Sequence, residues 1–184
     1  MKRVVDVVLS ALTLLLLAPV LLATAAAVVI DDGFPVFFRQ VRIGRGGLTF
    51  GMFKFRSMVR NAAAIGPFNT AAGDPRITRV GRFIRRTSLD ELPQLLNVLA
   101  GDMSLVGPRP DVPVQRALYN DADWAERCSV RPGITGLAQA LLRSEGTEDQ
   151  RRELDLRYVR EQSLWLDLKI MAWTVGRLTG RGSN

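Results

Sequence analysis

The chain has 184 residues, 47% hydrophobic and 23% charged, which is enough for one folded domain beyond an apolar N-terminal stretch and excludes a disordered chain. It contains no histidine and one cysteine, Cys128, which excludes Ser-His-Asp and Cys-His catalysis, imidazole zinc sites, intrachain disulfides and Cys-ligated clusters. The net charge of +7 is unevenly spread: residues 39–86 carry eleven basic side chains against Asp74 alone, and the flanking segments are close to neutral. That middle segment suits anions, whether phosphate, nucleic acid or an anionic lipid surface.

Val7 to Ile30 is a run without charge. As a helix it measures about 36 Å, enough for a hydrocarbon core of about 30 Å. Three readings compete: a spanning anchor, a signal peptide with Lys2-Arg3 as its basic end, and a helix that enters one leaflet, bends and returns. Pro19 removes a backbone N–H and clashes with the carbonyl of Leu15, so a bend is expected there. Basic residues on both sides of the run are satisfied together by re-entry and only one at a time by a span.

Residues 36–58 read as two extended segments joined by Gly44-Arg45-Gly46-Gly47. Phe53 and Phe55 alternate with Lys54 and Arg56, which places the rings on one face and the cations on the other. A loop follows over about 61–76. Ser88-Leu89-Asp90-Glu91 has the capping-box pattern and predicts a helix from Ser88 to a stop at Gly101, with Leu92, Leu95, Leu96 and Leu99 as its apolar stripe. Gly107-Pro108-Arg109-Pro110 is a stiff loop that fixes Arg109, and Arg131-Pro132-Gly133 is a second stiff turn. Thr147 to Gln150 is another capping box, opening a helix to about Glu161. A last helix is predicted over 164–178, with Trp165 and Trp173 suited to the core or to a membrane interface.

Without histidine, acid–base or nucleophilic chemistry falls to oxygen groups and lysine. Asp90 and Glu91 are the most informative pair. Acids in a first helical turn are also favoured by the helix dipole, so capping alone accounts for them equally well as a reading. Their functional reading comes from the arginines around them: Arg79, Arg82, Arg85 and Arg86 precede them and Arg109 follows. Such a setting is expected to lower the carboxyl pKa values and keep both ionised. An ionised carboxylate is a nucleophile toward phosphorus and a hard ligand for Mg²⁺. Its attack on a phosphate requires neutralised charge, which points to phosphoryl transfer.

The string from Arg82 to Pro110, RFIRRTSLDELPQLLNVLAGDMSLVGPRP, resembles the bacterial sugar transferase family of small monotopic phosphoglycosyl transferases. So do Lys2-Arg3 with Asp6, Phe53 to Met58, Arg131 to Gln139 and Asp167 to Ile170, in the same order. The resemblance implies an α/β, mostly helical fold: a re-entrant membrane helix over 1–32, then a compact cytosolic catalytic domain over 33–184 with amphipathic interfacial helices and a small β-hairpin. It implies transfer of a sugar 1-phosphate from a UDP-sugar to undecaprenyl phosphate with release of UMP, at the cytoplasmic face of the bacterial inner membrane, with Mg²⁺. Asp90 would form the covalent phosphosugar intermediate and Glu91 would be its partner, both near the metal. Lys54, Arg56, Arg109 and Arg131 are the candidate phosphate contacts, and no nucleic acid is expected as a partner.

Two departures stand out. The helix break reads Ala18-Pro19 where the family has Ser-Pro, and Gln139 is followed by Ala140-Leu141-Leu142-Arg143 where the family has Val-Asn-Gly-Arg. The sugar, the pathway and the oligomeric state, a homo-oligomer included, stay open. The competing readings are a membrane-tethered basic module for anionic lipid or nucleic acid, and an inactive family member.

Overall fold

The computed structural model describes residues 1–66, 73–142 and 146–178. The apolar N-terminus forms two helices, α1 (Lys2–Leu16) and α2 (Ala18–Asp32), bent by 64° at Leu17. Pro19 stands in the first turn of α2, where its missing N–H costs least. The expected bend is therefore present. Neither helix alone is long and apolar enough to cross a membrane, and the bent pair passes that test only jointly.

Burial in this pair is inverted relative to a soluble helix. Asp6, Ser10 and Thr24 are buried, whereas Val4, Val8, Leu12, Leu15, Leu16, Leu22 and Ile30 are exposed. Lys2, Arg3 and Asp6 anchor the pair, whereas the Thr24 hydroxyl donates within α2 to Val20 O and the Ser10 hydroxyl is buried without a partner among the described residues. Asp6 accepts from the Ser104 hydroxyl at 2.8 Å and the Leu105 N–H at 3.2 Å. Lys2 Nζ donates to Asp167 at 2.6 Å and to the Val106 carbonyl at 3.1 Å. Arg3 donates to the carbonyls of Val98 and Leu99.

The predicted hairpin forms as β1 (Phe37–Ile43) and β2 (Thr49–Phe55), antiparallel, with Phe38 opposite Lys54 and Phe37 opposite Phe55. Phe37 packs against both Phe53 and Phe55, and Lys54 projects from the other face, as the alternation requires. A short α3 (Ala62–Ile65) follows, and part of the predicted 61–76 loop lies outside the described residues. Helix α4 (Arg79–Arg86) is capped by Thr78, whose hydroxyl accepts from Gly81 N.

The helix predicted from Ser88 to Gly101 forms in two pieces. Leu89–Glu91 is a 3₁₀ turn, and α5 (Gln94–Ala100) starts only after Pro93. Ser88 does not cap: its φ is 57°, left-handed, and its side chain bonds no helix N–H. The capping box fails because the Glu91 carboxylate is drawn away to two cations, described below. The buried face of α5 is Gln94, Leu95, Asn97 and Val98; of the expected leucine stripe Leu95 is buried, Leu92 and Leu99 are half-buried and Leu96 is exposed. The stop at Gly101 is as expected, with φ 98°.

Strand β3 (Ser104–Val106) pairs in parallel with β4 (Gly133–Thr135). The pairing holds the Gly107–Pro110 loop against the Arg131 turn: Gly107 N donates to Thr135 O and Gly133 N to Pro108 O, both at 2.9 Å. A Cβ on Gly107 would lie 2.5 Å from the Arg131 carbonyl, so only glycine permits the contact. The chain ends with α6 (Asp121–Arg127), α7 (Leu137–Leu142), α8 (Glu148–Glu161) and α9 (Leu164–Leu178), the last two at their predicted bounds. Thr147 and Gln150 form the reciprocal capping box expected of them.

Three apolar clusters hold these pieces. Val28 of α2 packs with Phe55 and Ile84, so the N-terminal pair is joined to the hairpin and to α4. Met52, Val98 and Met103 join β2 to α5. Val106, Leu137, Ala140, Tyr158 and Ile170 form the C-terminal core.

Candidate active site

A cavity of about 760 Å³ lies between the hairpin, the end of α4, the Leu89–Glu91 turn and the Arg109 loop. Asp90, Glu91, Lys54, Arg56 and Arg109 all line it, together with Arg42, Arg85 and Ser88. Of the four arginines that precede the acidic pair, only Arg85 does. Arg131 lines a separate cleft, where its Nε donates to the Gly101 carbonyl at 2.8 Å, so the structure does not bring it to the acidic pair.

The two acids differ in setting. Glu91 Oε1 accepts from Lys54 Nζ at 2.7 Å and from Arg109 Nη2 at 3.2 Å. Burial pushes the Glu91 carboxyl up, but Arg109 and Lys54 outweigh it and hold the pKa at about 2. Asp90 is 8% exposed, and its carboxylate has no side-chain hydrogen bond among the described residues. Burial, with the Glu91 charge beside it, raises its pKa despite the pull of Lys54 and Arg85. The expectation that arginines lower both pKa values holds for Glu91 and fails for Asp90, because desolvation of a buried carboxylate wins where no cation makes contact. The Asp90 carboxylate accepts from its own backbone N–H alone among the described residues, so an ionised Asp90 keeps lone pairs that no side-chain donor engages, the condition for a nucleophile. Glu91, committed to two cations, is held in its charged form.

The cations are held from behind. Arg56 is buried at the end of α2, where Nη2 donates to the Asp32 carbonyl at 2.8 Å and lies 3.1 Å from the Asp32 carboxylate. Its Nε and Nη1 are buried with no partner among the described residues. Arg109 is half-exposed, and its carbonyl accepts from Arg127 Nη2 at 2.6 Å. Arg127 is itself buried between Asp111, at 2.7 Å, and Asp155, at 2.9 Å.

Sequence reasoning missed three residues of this framework. Arg42 donates to Pro110 O and to Gln40, with its Nε buried and without a partner among the described residues. Burial, and the charge of Arg109 next, lower its pKa to about 10. Asn97, fully buried, accepts from Phe53 N at 2.8 Å and donates to Gly51 O at 2.9 Å, locking α5 to the strand that carries Lys54. Arg127 steadies the Arg109 loop. Arg42 sits in the +10 segment among many similar arginines, and Asn97 interrupts an apolar run; neither carries a local signature.

Mg²⁺ is the metal that the resemblance implies. Among the described residues no group of three or more Asp, Glu, Cys or His side chains converges as a ligand set. Asp90 and Glu91 supply hard oxygens at the cavity wall, and one or two carboxylates completed by substrate phosphate and water are the donors Mg²⁺ takes, so the residues fit.

Comparison with known proteins gives the same direction. The family model for bacterial sugar transferases matches residues 1–181. The chain is similar to a UDP-glucose:undecaprenyl-phosphate glucose-1-phosphate transferase of Caulobacter vibrioides, 46% identical over 96% of this chain and 69% of that protein. A transferase of the same description from Escherichia coli is 45% identical over 95% of this chain and 39% of its own length. An undecaprenyl-phosphate N-acetylgalactosaminephosphotransferase of Aeromonas hydrophila is 41% identical over 99% of this chain and 44% of its own length. The chain thus spans well under half of the latter two relatives. With the match running almost end to end, this chain belongs to the bacterial sugar transferase family.

Proposed function

We propose that this transferase moves a sugar 1-phosphate from a UDP-sugar to undecaprenyl phosphate, through a covalent aspartyl phosphosugar on Asp90. The observation that carries the reading is the contrast within the acidic pair: Asp90 buried with no side-chain hydrogen bond among the described residues, Glu91 clamped by Lys54 and Arg109. Relatives named for this reaction with glucose and with N-acetylgalactosamine support the substrate class. The alternative of a basic binding module accounts for the cations and leaves the buried acid unexplained.

In the first step an Asp90 oxygen attacks the sugar-bearing phosphorus, and the bond from that phosphorus to the bridging oxygen breaks. The pair leaves with UMP. In the second, an oxygen of the lipid phosphate attacks the same phosphorus and the aspartyl–phosphorus bond breaks, restoring the carboxylate and giving a lipid diphosphosugar. Arg109 and Arg56 line the cavity; half-exposed Arg109 is assigned to the diphosphate oxygens, and buried Arg56 adds positive charge to the wall. Lys54 is shared between Glu91 and the space in front of Asp90, where it offsets the approach of two anions. Mg²⁺, held by Asp90 or Glu91, would supply further charge neutralisation at the diphosphate.

The bent pair α1–α2 is read as re-entrant, entering and leaving the cytoplasmic face of the inner membrane. Its exposed apolar face and its buried polar anchors support this. The test is UMP release by purified full chain with Mg²⁺, undecaprenyl phosphate and a panel holding UDP-glucose and UDP-N-acetylgalactosamine. Acceptor-dependent UMP release that disappears in Asp90→Asn is expected. Release from none of the nucleotide sugars would end the reading.

A further inference from the structure

A second cleft, about 250 Å³, lies on the opposite end of α5 from the acidic pair. Lys2, Arg3, Arg45 and Arg131 line it, with Asp6 as the acid among its lining residues. That acid is already engaged by Ser104 and Leu105 N, and Lys2 is engaged by Asp167.

Arg3 is engaged by the carbonyls of Val98 and Leu99, and the two remaining arginines are arranged alike. Arg45 Nε donates to Ser129 O at 3.0 Å, and Arg131 Nε donates to Gly101 O at 2.8 Å. Each guanidinium is thereby fixed through its inner nitrogen. Its terminal nitrogens make no hydrogen bond or ion pair with the described residues. The backbones are fixed too: Gly46 N donates to Cys128 O at 2.7 Å, tying the Arg45 turn to the Ser129 segment, and Pro132 follows Arg131. Two pre-set forks in one concave site cost little side-chain entropy on binding an anion, and a fork matches two oxygens of a phosphate.

We propose that this cleft is a second phosphate-binding site, separate from the cavity of Asp90, with Arg45 and Arg131 as its ligands. It stands beside the first turn of α1, whose Val4, Val8 and Leu12 are exposed. If that face meets acyl chains, as the membrane reading above has it, the phosphate belongs to an anionic lipid headgroup. The alternative source is free phosphate from solution, and the site itself does not depend on the transferase reaction.

Native mass spectrometry of the full chain from neutral detergent tests this with three probes: dioleoyl phosphatidylglycerol, dioleoyl phosphatidylcholine and inorganic phosphate. The chain is expected to retain phosphatidylglycerol in preference to phosphatidylcholine. Arg45→Gln and Arg131→Gln should each weaken retention roughly tenfold, equivalent to one charge-assisted hydrogen bond at about 1.4 kcal/mol. Arg157→Gln, an exposed cation of α8 outside both cavities, should not. Loss of an inorganic phosphate adduct in the same two variants, without a lipid adduct, supports the site and assigns it to soluble anions. Arg45 is exposed, so Arg45→Gln reads the site even where Arg131→Gln does not fold. The proposal is overturned if neither adduct weakens in Arg45→Gln, or if Arg157→Gln weakens it as much.

Discussion

Glu91→Gln isolates the charge that Lys54 and Arg109 share. In the fold the Glu91 carboxyl titrates at about 2 against an ordinary 4.5. Each tenfold change in ionisation constant is worth about 1.4 kcal/mol, so the fold prefers the ionised form by about 3 kcal/mol. The side chain is 24% exposed and Gln retains an oxygen for Lys54, so the variant is expected to lose about 2–3 kcal/mol at pH 7. For a chain of this length that is a fall in melting temperature of about 5–10 °C. The sign with pH follows from the lowered pKa. The stabilisation is complete above the unfolded value of 4.5 and is lost as the pH falls toward 2. Thermal unfolding of both proteins in detergent from neutral pH to pH 3 is the assay. The two curves should lie apart at pH 7 and converge in acid. Equal melting temperatures at pH 7, or a gap that stays constant to pH 3, would refute the claim that two cations hold Glu91 ionised.

Asp90 predicts the reverse for its own variant. Its raised pKa means that the ionised form is disfavoured in the fold, so Asp90→Asn should melt higher than wild type at pH 7 while losing transfer, read by calorimetry and UMP release. Asn97→Ala leaves the Phe53 N–H and the Gly51 carbonyl unsatisfied and should cost about 2–4 kcal/mol in denaturant unfolding. Arg127→Met strands Asp111 and Asp155 in the interior and should cost about 3–5 kcal/mol, while KM for the nucleotide sugar rises as the Arg109 loop loosens. For topology, a cysteine appended ahead of Met1 and one at Asp121→Cys should both resist an impermeant thiol reagent applied to intact cells, with Cys128 buried as a silent background. Labelling of the first alone would mean that the helix pair spans.

The elements whose signals are local were legible in the sequence. The hairpin followed from the Phe53–Arg56 alternation, α8 from its capping box, the bend from Pro19, and the stop of α5 from Gly101. Where tertiary contacts compete, local rules failed. Ser88 has the residues of a capping box around it, yet Lys54 and Arg109 arrive from distant segments and take Glu91. The same remoteness hid the roles of Asn97 and Arg127, whose partners lie 44 and 28 residues away. Arginine content marked the middle segment as anion-binding, but only the fold separates Arg56 and Arg109, which line the cavity of Asp90, from Arg131, which does not. The Asp90 pKa was misjudged because charge density in sequence says nothing about burial.

In the proposed route one carboxylate, Asp90, carries the phosphosugar between two substrates. The route is tested most directly by incubating the full chain with a UDP-sugar labelled at the sugar-bearing phosphate, without lipid acceptor, and mapping the label by peptide mass. About one UMP released per chain, label on the peptide that contains Asp90, and discharge of that label when undecaprenyl phosphate is added are expected. Sustained acceptor-dependent turnover with no labelled protein at any time, or a label that persists in Asp90→Asn, would contradict it.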